Sequence, residues 1–292
     1  QVVVNGSTSG GILVWVDGSG SALILGGFPS LTIPSDQTIN TNQTFSAATQ
    51  TSGILDGSGI VTVAGTYTWS GGTMQGSGTT QANGGLTLSG GALTLDGVRT
   101  LINAGTGTWT SGSLNLLNSG AVFTNQSGAT FTDQTGALSS VFGSGTFTNA
   151  GTYTKTGSST TQIDSTLNNS GAMNVQDGVL EVRGSGVGFG LLPHTGSFAV
   201  SAPATLQFGS NATGGTHTLG GNVTGAGTLR VNTGNVTMIG GTYNITGTTD
   251  LNGNGNLTIY SLATVAAVGA VSVSGGELRF ESGELIEPTS VT

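Results

Sequence analysis

The chain has no cysteine, few prolines and almost no charge: five basic residues, thirteen acidic ones and five prolines in 292 positions. Without cysteine there is no disulfide scaffold, no thiolate metal site and no thiol nucleophile. The cations are only Arg99, Lys155, Arg183, Arg230 and Arg279. Phosphate backbones are gripped by clustered Lys and Arg, so nucleic acid is not expected as a partner. Long apolar runs are missing too. The densest, Ile12–Val16 and Ala22–Leu25, are far too short to span a bilayer as helices, and no membrane insertion is expected. No stretch sustains a 3.6-residue apolar period, so helix should be nearly absent.

What fills the chain instead is glycine, with 54 residues, and threonine, with 48. Disordered chains are rich in charge and poor in β-branched and aromatic residues, and this chain is the reverse. A folded β-structure is expected, with Gly, Ser, Asn and Asp in turns and Thr, Val, Leu and Phe in short strands. The passage GSGIVTVAGTYTWSG (Gly57–Gly71) returns as GSGTFTNAGTYTKTG (Gly143–Gly157) with ten of fifteen positions identical, and its core recurs in Ala104–Trp109. Gly91–Val98 and Gly171–Val179 form a second pair, each running from a strand into an Asp-Gly turn. Such self-similarity marks a repeat architecture with coils of about 20 residues, hence roughly 14 coils and a rod of about 70 Å.

The expected organisation is an apolar end structure or assembly strand over 1–50, solenoid repeats over 51–183, a loop or break over 184–205 and a continuation with an acidic end over 206–292. The opening QVVV reads as a processed product or a fragment. Alternation would place apolar side chains inside each coil and Thr, Ser and Asn outside, with the core formed only by stacking.

Few residues suggest chemistry. Asp17, Asp56, Asp96 and Asp177 each precede a glycine and fit turns rather than catalysis. Glu277, Glu281 and Glu284 form the one acidic cluster, read as a solvated end cap ahead of a weak calcium site. His194 and His217 are isolated in polar surroundings without ligand spacing. No catalytic residue, cofactor or metal is expected, and the chain is not read as an enzyme. The Thr-x-Thr triplets at Thr66–Thr68, Thr130–Thr132, Thr146–Thr148, Thr152–Thr154 and Thr216–Thr218 are of the kind that line ice-binding solenoids, but their irregular spacing argues against a lattice-matched array.

The phrases Gly65–Gly78, Gly145–Thr154 and Asn168–Val182 resemble the repeats of bacterial secreted β-solenoids, including autotransporter passengers and filamentous-haemagglutinin-like adhesins. The resemblance covers about 51–183 and, more loosely, 206–280. It implies a right-handed parallel β-helix at the cell surface with adhesive or structural roles. The expected fold is therefore all-β, a parallel β-helix. The expected function is an extracellular structural protein forming a head-to-tail homopolymer through Val2, Val3, Val4, Ile12, Leu13, Val14, Trp15 and Val16. The alternative is an adhesin binding glycans or a host surface along its side, with Trp69 and Trp109 as the exposed aromatics. Ice binding and carbohydrate-active catalysis are minor alternatives.

Overall fold

A computed structural model describes residues 13–16, 22–25, 30–184, 193–209, 215–281 and 288–292. Among these there is no helix, and from Leu31 onward the strands stack in parallel as a β-solenoid of about 12 turns. Each coil contributes three strands, so the stack has three faces. The first face is a continuous sheet of twelve strands, from Leu31–Ile33 through Thr66–Trp69 and Thr152–Lys155 to Thr264–Ala267. The second runs from Gln37–Thr38 to Ser290–Val291. The third runs from Gln43–Phe45 to Thr166–Asn169 and resumes with Thr216–Leu219. Two long strands, Thr228–Met238 and Thr248–Ile259, turn the corner without a break and join the second and third faces into one sheet.

Strand alternation dictates the core. Most four-residue strands repeat one pattern, in which the second and fourth side chains are buried and the first and third are not. The buried set makes one cluster along the axis, from Leu31 to Val271. Each large apolar side chain taken from water contributes about 1.5–3 kcal/mol, and no coil could bury its own without neighbours. Midway, Phe123 and Phe147 stack at 5.2 Å, with Phe131 and Tyr153 packed edge-on or tilted against them.

The 86-residue echo is geometric as well as textual. Gly57 and Gly143 occupy the same corner between second and third faces, with φ of 110° and 109°. A Cβ at Gly57 would stand 2.2 Å from the Ile39 carbonyl oxygen of the coil below, which is why glycine holds that corner.

Three expectations need correction. Stacking starts at Leu31, not at residue 51, because Leu31–Ile33 already pairs with Ala48–Gln50. The stack is thus about twelve coils and roughly 55 Å long at about 4.8 Å per coil, shorter than 14 coils and 70 Å. The break expected within 184–205 does not interrupt the first two faces, where Met173 pairs with Phe198 and Leu180 with Leu206 in register; residues 185–192 lie outside the described residues. Before the stack, Leu13–Val16 and Ala22–Leu25 pair antiparallel as a separate two-stranded sheet. Leu13, Val14, Trp15 and Val16 therefore form a hairpin strand, while Val2, Val3, Val4 and Ile12 lie outside the described residues.

Candidate functional site

The first face carries the most regular surface. Its register pairs Thr32 with Thr49, Thr49 with Thr68, Thr68 with Thr87, Thr87 with Thr108, Thr108 with Thr132 and Thr132 with Thr154. Seven threonines thus stand in one unbroken outward column. A second column on the same strands holds Thr66, Gly85, Thr106, Thr130 and Thr152. Rungs are about 4.8 Å apart across coils, and the columns about 6.6 Å apart along the strands. Successive rungs differ by 17 to 24 positions in sequence, yet the columns stay straight because corners of different length absorb the difference. Uneven spacing in sequence, counted above against a lattice-matched array, thus does not prevent a threonine column. Of the remaining triplets, Thr146–Thr148 lies on the third face, and Thr216–Thr218 continues it after the interruption.

No strand of the first face presents a charged residue outward, from Thr32 to Ala267. Charged side chains gather instead on the second face, where Arg230 meets Asp250 at 2.7 Å and Arg183 meets Asp164 at 3.2 Å.

Trp69 and Trp109 are not lateral contacts. Both are buried, the fourth residues of their strands, pointing inward beside outward Thr68 and Thr108. Their indole N–H groups donate to the Gly71 and Ser111 carbonyls at 2.9 and 3.0 Å. His194 and His217 are also buried, not set in polar surroundings. Their rings stack at 6.3 Å, and Phe198 and Phe208 pack against them. Burial, helped by the neighbouring His217, pushes the His194 imidazole down to about 4, and burial lowers His217 as well. Asp56, Asp96 and Asp177 do what turn residues do, each accepting from the N–H of the following glycine. Glu277 and Glu281 lie at the last described coil, Glu281 paired with Arg279 at 3.4 Å, and Glu284 lies outside the described residues. Among the described residues no group of three His, Cys, Asp or Glu is placed to hold a metal.

Sequence reasoning missed the polar interior. Asn103, Asn125, Asn149 and Asn169 stack inside the third face, and each of the first three amides donates to the oxygen of the next at 2.8–2.9 Å. All four donate to a carbonyl on the neighbouring strand, of Thr130, Thr152, Ala172 and Ser197 in turn. His194 takes the next position, its Nδ1 accepting from the Asn169 N–H at 3.4 Å. Arg99, fully buried, donates to the Thr80 hydroxyl at 2.9 Å and the Gln75 carbonyl at 3.1 Å. Asp133 and Lys155 occupy consecutive inward positions above Trp109. The signal was present: the echo aligns Lys155 with Trp69, so a slot known to take a large inward side chain holds a charge.

No family model, curated protein or solved structure matches this chain. The reading of its function therefore rests on its own residues.

Proposed function

We propose that the chain is a structural β-solenoid of the cell exterior whose stacks join end to end into a fibre. The observation that carries this reading is the last described coil. Elsewhere inward apolar side chains are buried, but there Val265, Leu278 and Phe280 are only partly so, and Val273 is 38% exposed. At the other end Leu31, Ile33 and Phe45 are buried. Unlike ends meet head to tail, and a contact of that kind propagates rather than closing. Because every solenoid sheet is parallel, an added copy would continue the ladders in the same direction. The uncharged Thr, Ser and Asn surface and the lack of cysteine support a place outside the cell.

Electron microscopy of the full chain at rising concentration tests this. Filaments are expected for the native sequence and are expected to be lost on Leu278→Lys, which sets a charge in the joint, with circular dichroism showing that the stack survives. Single rods at every concentration would refute it.

The first face supports a second reading, adsorption to ice. Paired threonine columns give a regular array of hydroxyls and methyls, about 4.8 Å by about 6.6 Å, without charges that would order water differently. The expected outcome is slowed ice recrystallisation, abolished by Thr87→Tyr at the centre of the column. Equal activity of the two proteins, or none in the native chain, would remove this reading. With Trp69 and Trp109 inside, lateral glycan binding has lost the aromatics it relied on.

A further inference from the structure

The pair Asp133 and Lys155 is an unusual investment for a core that otherwise has an apolar or amide solution at nearly every rung. The two are direct register partners on adjacent coils and both are fully buried. Lys155 Nζ stands 3.7 Å from Asp133 Oδ2 and has no hydrogen-bond partner, although an ammonium has three protons to place. The carboxylate is over-supplied. Oδ1 accepts from the Thr135 N–H at 3.0 Å and the Thr135 hydroxyl at 2.7 Å, and Oδ2 accepts from the Tyr153 hydroxyl at 2.7 Å and the Thr161 hydroxyl at 2.6 Å. A buried ion pair of ordinary stabilising type would show the amine hydrogen-bonded to the acid. Here the donors belong to other groups, and the amine is left facing the carboxyl without being held by it.

We propose that Lys155 and Asp133 join in an intramolecular amide bond, a covalent staple between two neighbouring coils. The reaction balances without an oxidant or co-reactant. The Lys155 nitrogen bonds to Asp133 Cγ, the bond from Cγ to Oδ2 breaks, and two of the three ammonium protons leave with Oδ2 as water. Each group in the cluster has a part in that step. The attacking amine must be neutral, and burial, outweighing the attraction of Asp133, lowers the affinity of Lys155 for its proton. The Thr135 N–H and hydroxyl sit where the oxygen of a tetrahedral intermediate would gather charge, as oxyanion donors do. Tyr153 and Thr161 donate to the oxygen that departs, so a proton reaches it along bonds already present. Lys155 and Asp133 are fully buried, and Phe131 and Phe147 pack against the adjoining Tyr153, so bulk water is kept from the pair, which favours condensation over hydrolysis. The inference does not rest on fibre formation.

The sparseness of basic residues makes the test direct. After denaturation, trypsin cuts beyond Arg99, Lys155 and Arg183, so an unlinked chain yields the peptides 100–155 and 156–183. An amidated Lys155 is not a substrate. The expected result for the full chain, incubated at neutral pH, is one peptide spanning 100–183, lighter than its sequence by one water, whose fragmentation joins Asp133 to Lys155. Asp133→Ala is expected to restore both shorter peptides and the full mass. The same water loss with cleavage after Lys155 would mark dehydration at an Asp-Gly turn such as Asp177–Gly178. That result, a spanning peptide of full mass, or two unmodified peptides from the native chain would each overturn the proposal.

Discussion

Single residues in this protein are chosen against the side chain one coil away. Gly107 shows it. It sits at an inward position between Leu86 and Phe131, and a Cβ there would come within 2.4 Å of the Phe131 ring and 2.9 Å of the Asn103 amide. The space it leaves lets Phe131 meet Phe123 edge-on at 5.0 Å. Gly107→Ala should cost about 1–3 kcal/mol by overpacking, measured as a lower denaturation midpoint with unchanged slope. The outward neighbour Thr108, by contrast, should tolerate Ala or Ser within about 0.5 kcal/mol. The histidines obey the same logic of neighbours but respond to pH. The folded protein holds His194 neutral down to about 4, whereas the unfolded chain takes the proton near the ordinary value of 6.5. Stability should therefore be level above about pH 6.5 and fall as pH drops toward 4, by roughly 3 kcal/mol for this group, with His217 acting in the same direction. Denaturant titrations at about pH 7 and about pH 4.5 would show the loss, and His194→Asn should reduce it.

At the scale of the element, the informative object is the column, not the strand. The asparagine column is a chain of amide-to-amide bonds in a dry interior, with Asn103, Asn125 and Asn149 each donating to the next asparagine and to a backbone carbonyl. Asn125→Ala would leave the Asn149 oxygen and the Thr152 carbonyl without that donor, and should cost about 1–3 kcal/mol, read from the same titrations. Its outward neighbour Thr124 serves as the control. The column ends where its chemistry runs out: Ala82 lies below Asn103, whose oxygen has no donor, and His194 lies above Asn169. Strands were legible in the sequence because alternation survives within four residues, as in TYTW and TYTK. Columns were not, because they depend on corner lengths that vary without any local signature. Parity within TYTW already sets Trp69 on the side opposite Thr66 and Thr68, so its inward direction was readable. The partnership of Asp133 with Lys155 was not, since it needs the register across a corner of uneven length.

For the whole molecule, stability is the sum of coil-to-coil contacts along one axis, and each coil depends mainly on the two beside it. The fibre reading belongs at this scale. A joint built from Leu278, Phe280 and continued strand pairing is apolar and hydrogen-bonded, so filament formation in the same microscopy experiment should change little between low and high salt. A strong salt dependence would point instead to the second face, where Arg183, Arg230, Asp164 and Asp250 lie. Each part of the stack thus has a separable place, with the interior holding the coils together and the first face presenting threonine.

Corners of unequal length between faces of fixed register have a consequence for how such a molecule changes. At the corner between Thr130–Asp133 and Ser139–Phe142, Leu138 is 66% exposed, and residues added beside it would extend outward while the rungs on either side keep their register. Foreign peptides grafted there would be carried on a rigid shaft at a known height and in a known direction. Evolution has the same freedom, and can rewrite what the corners display while leaving the three faces untouched.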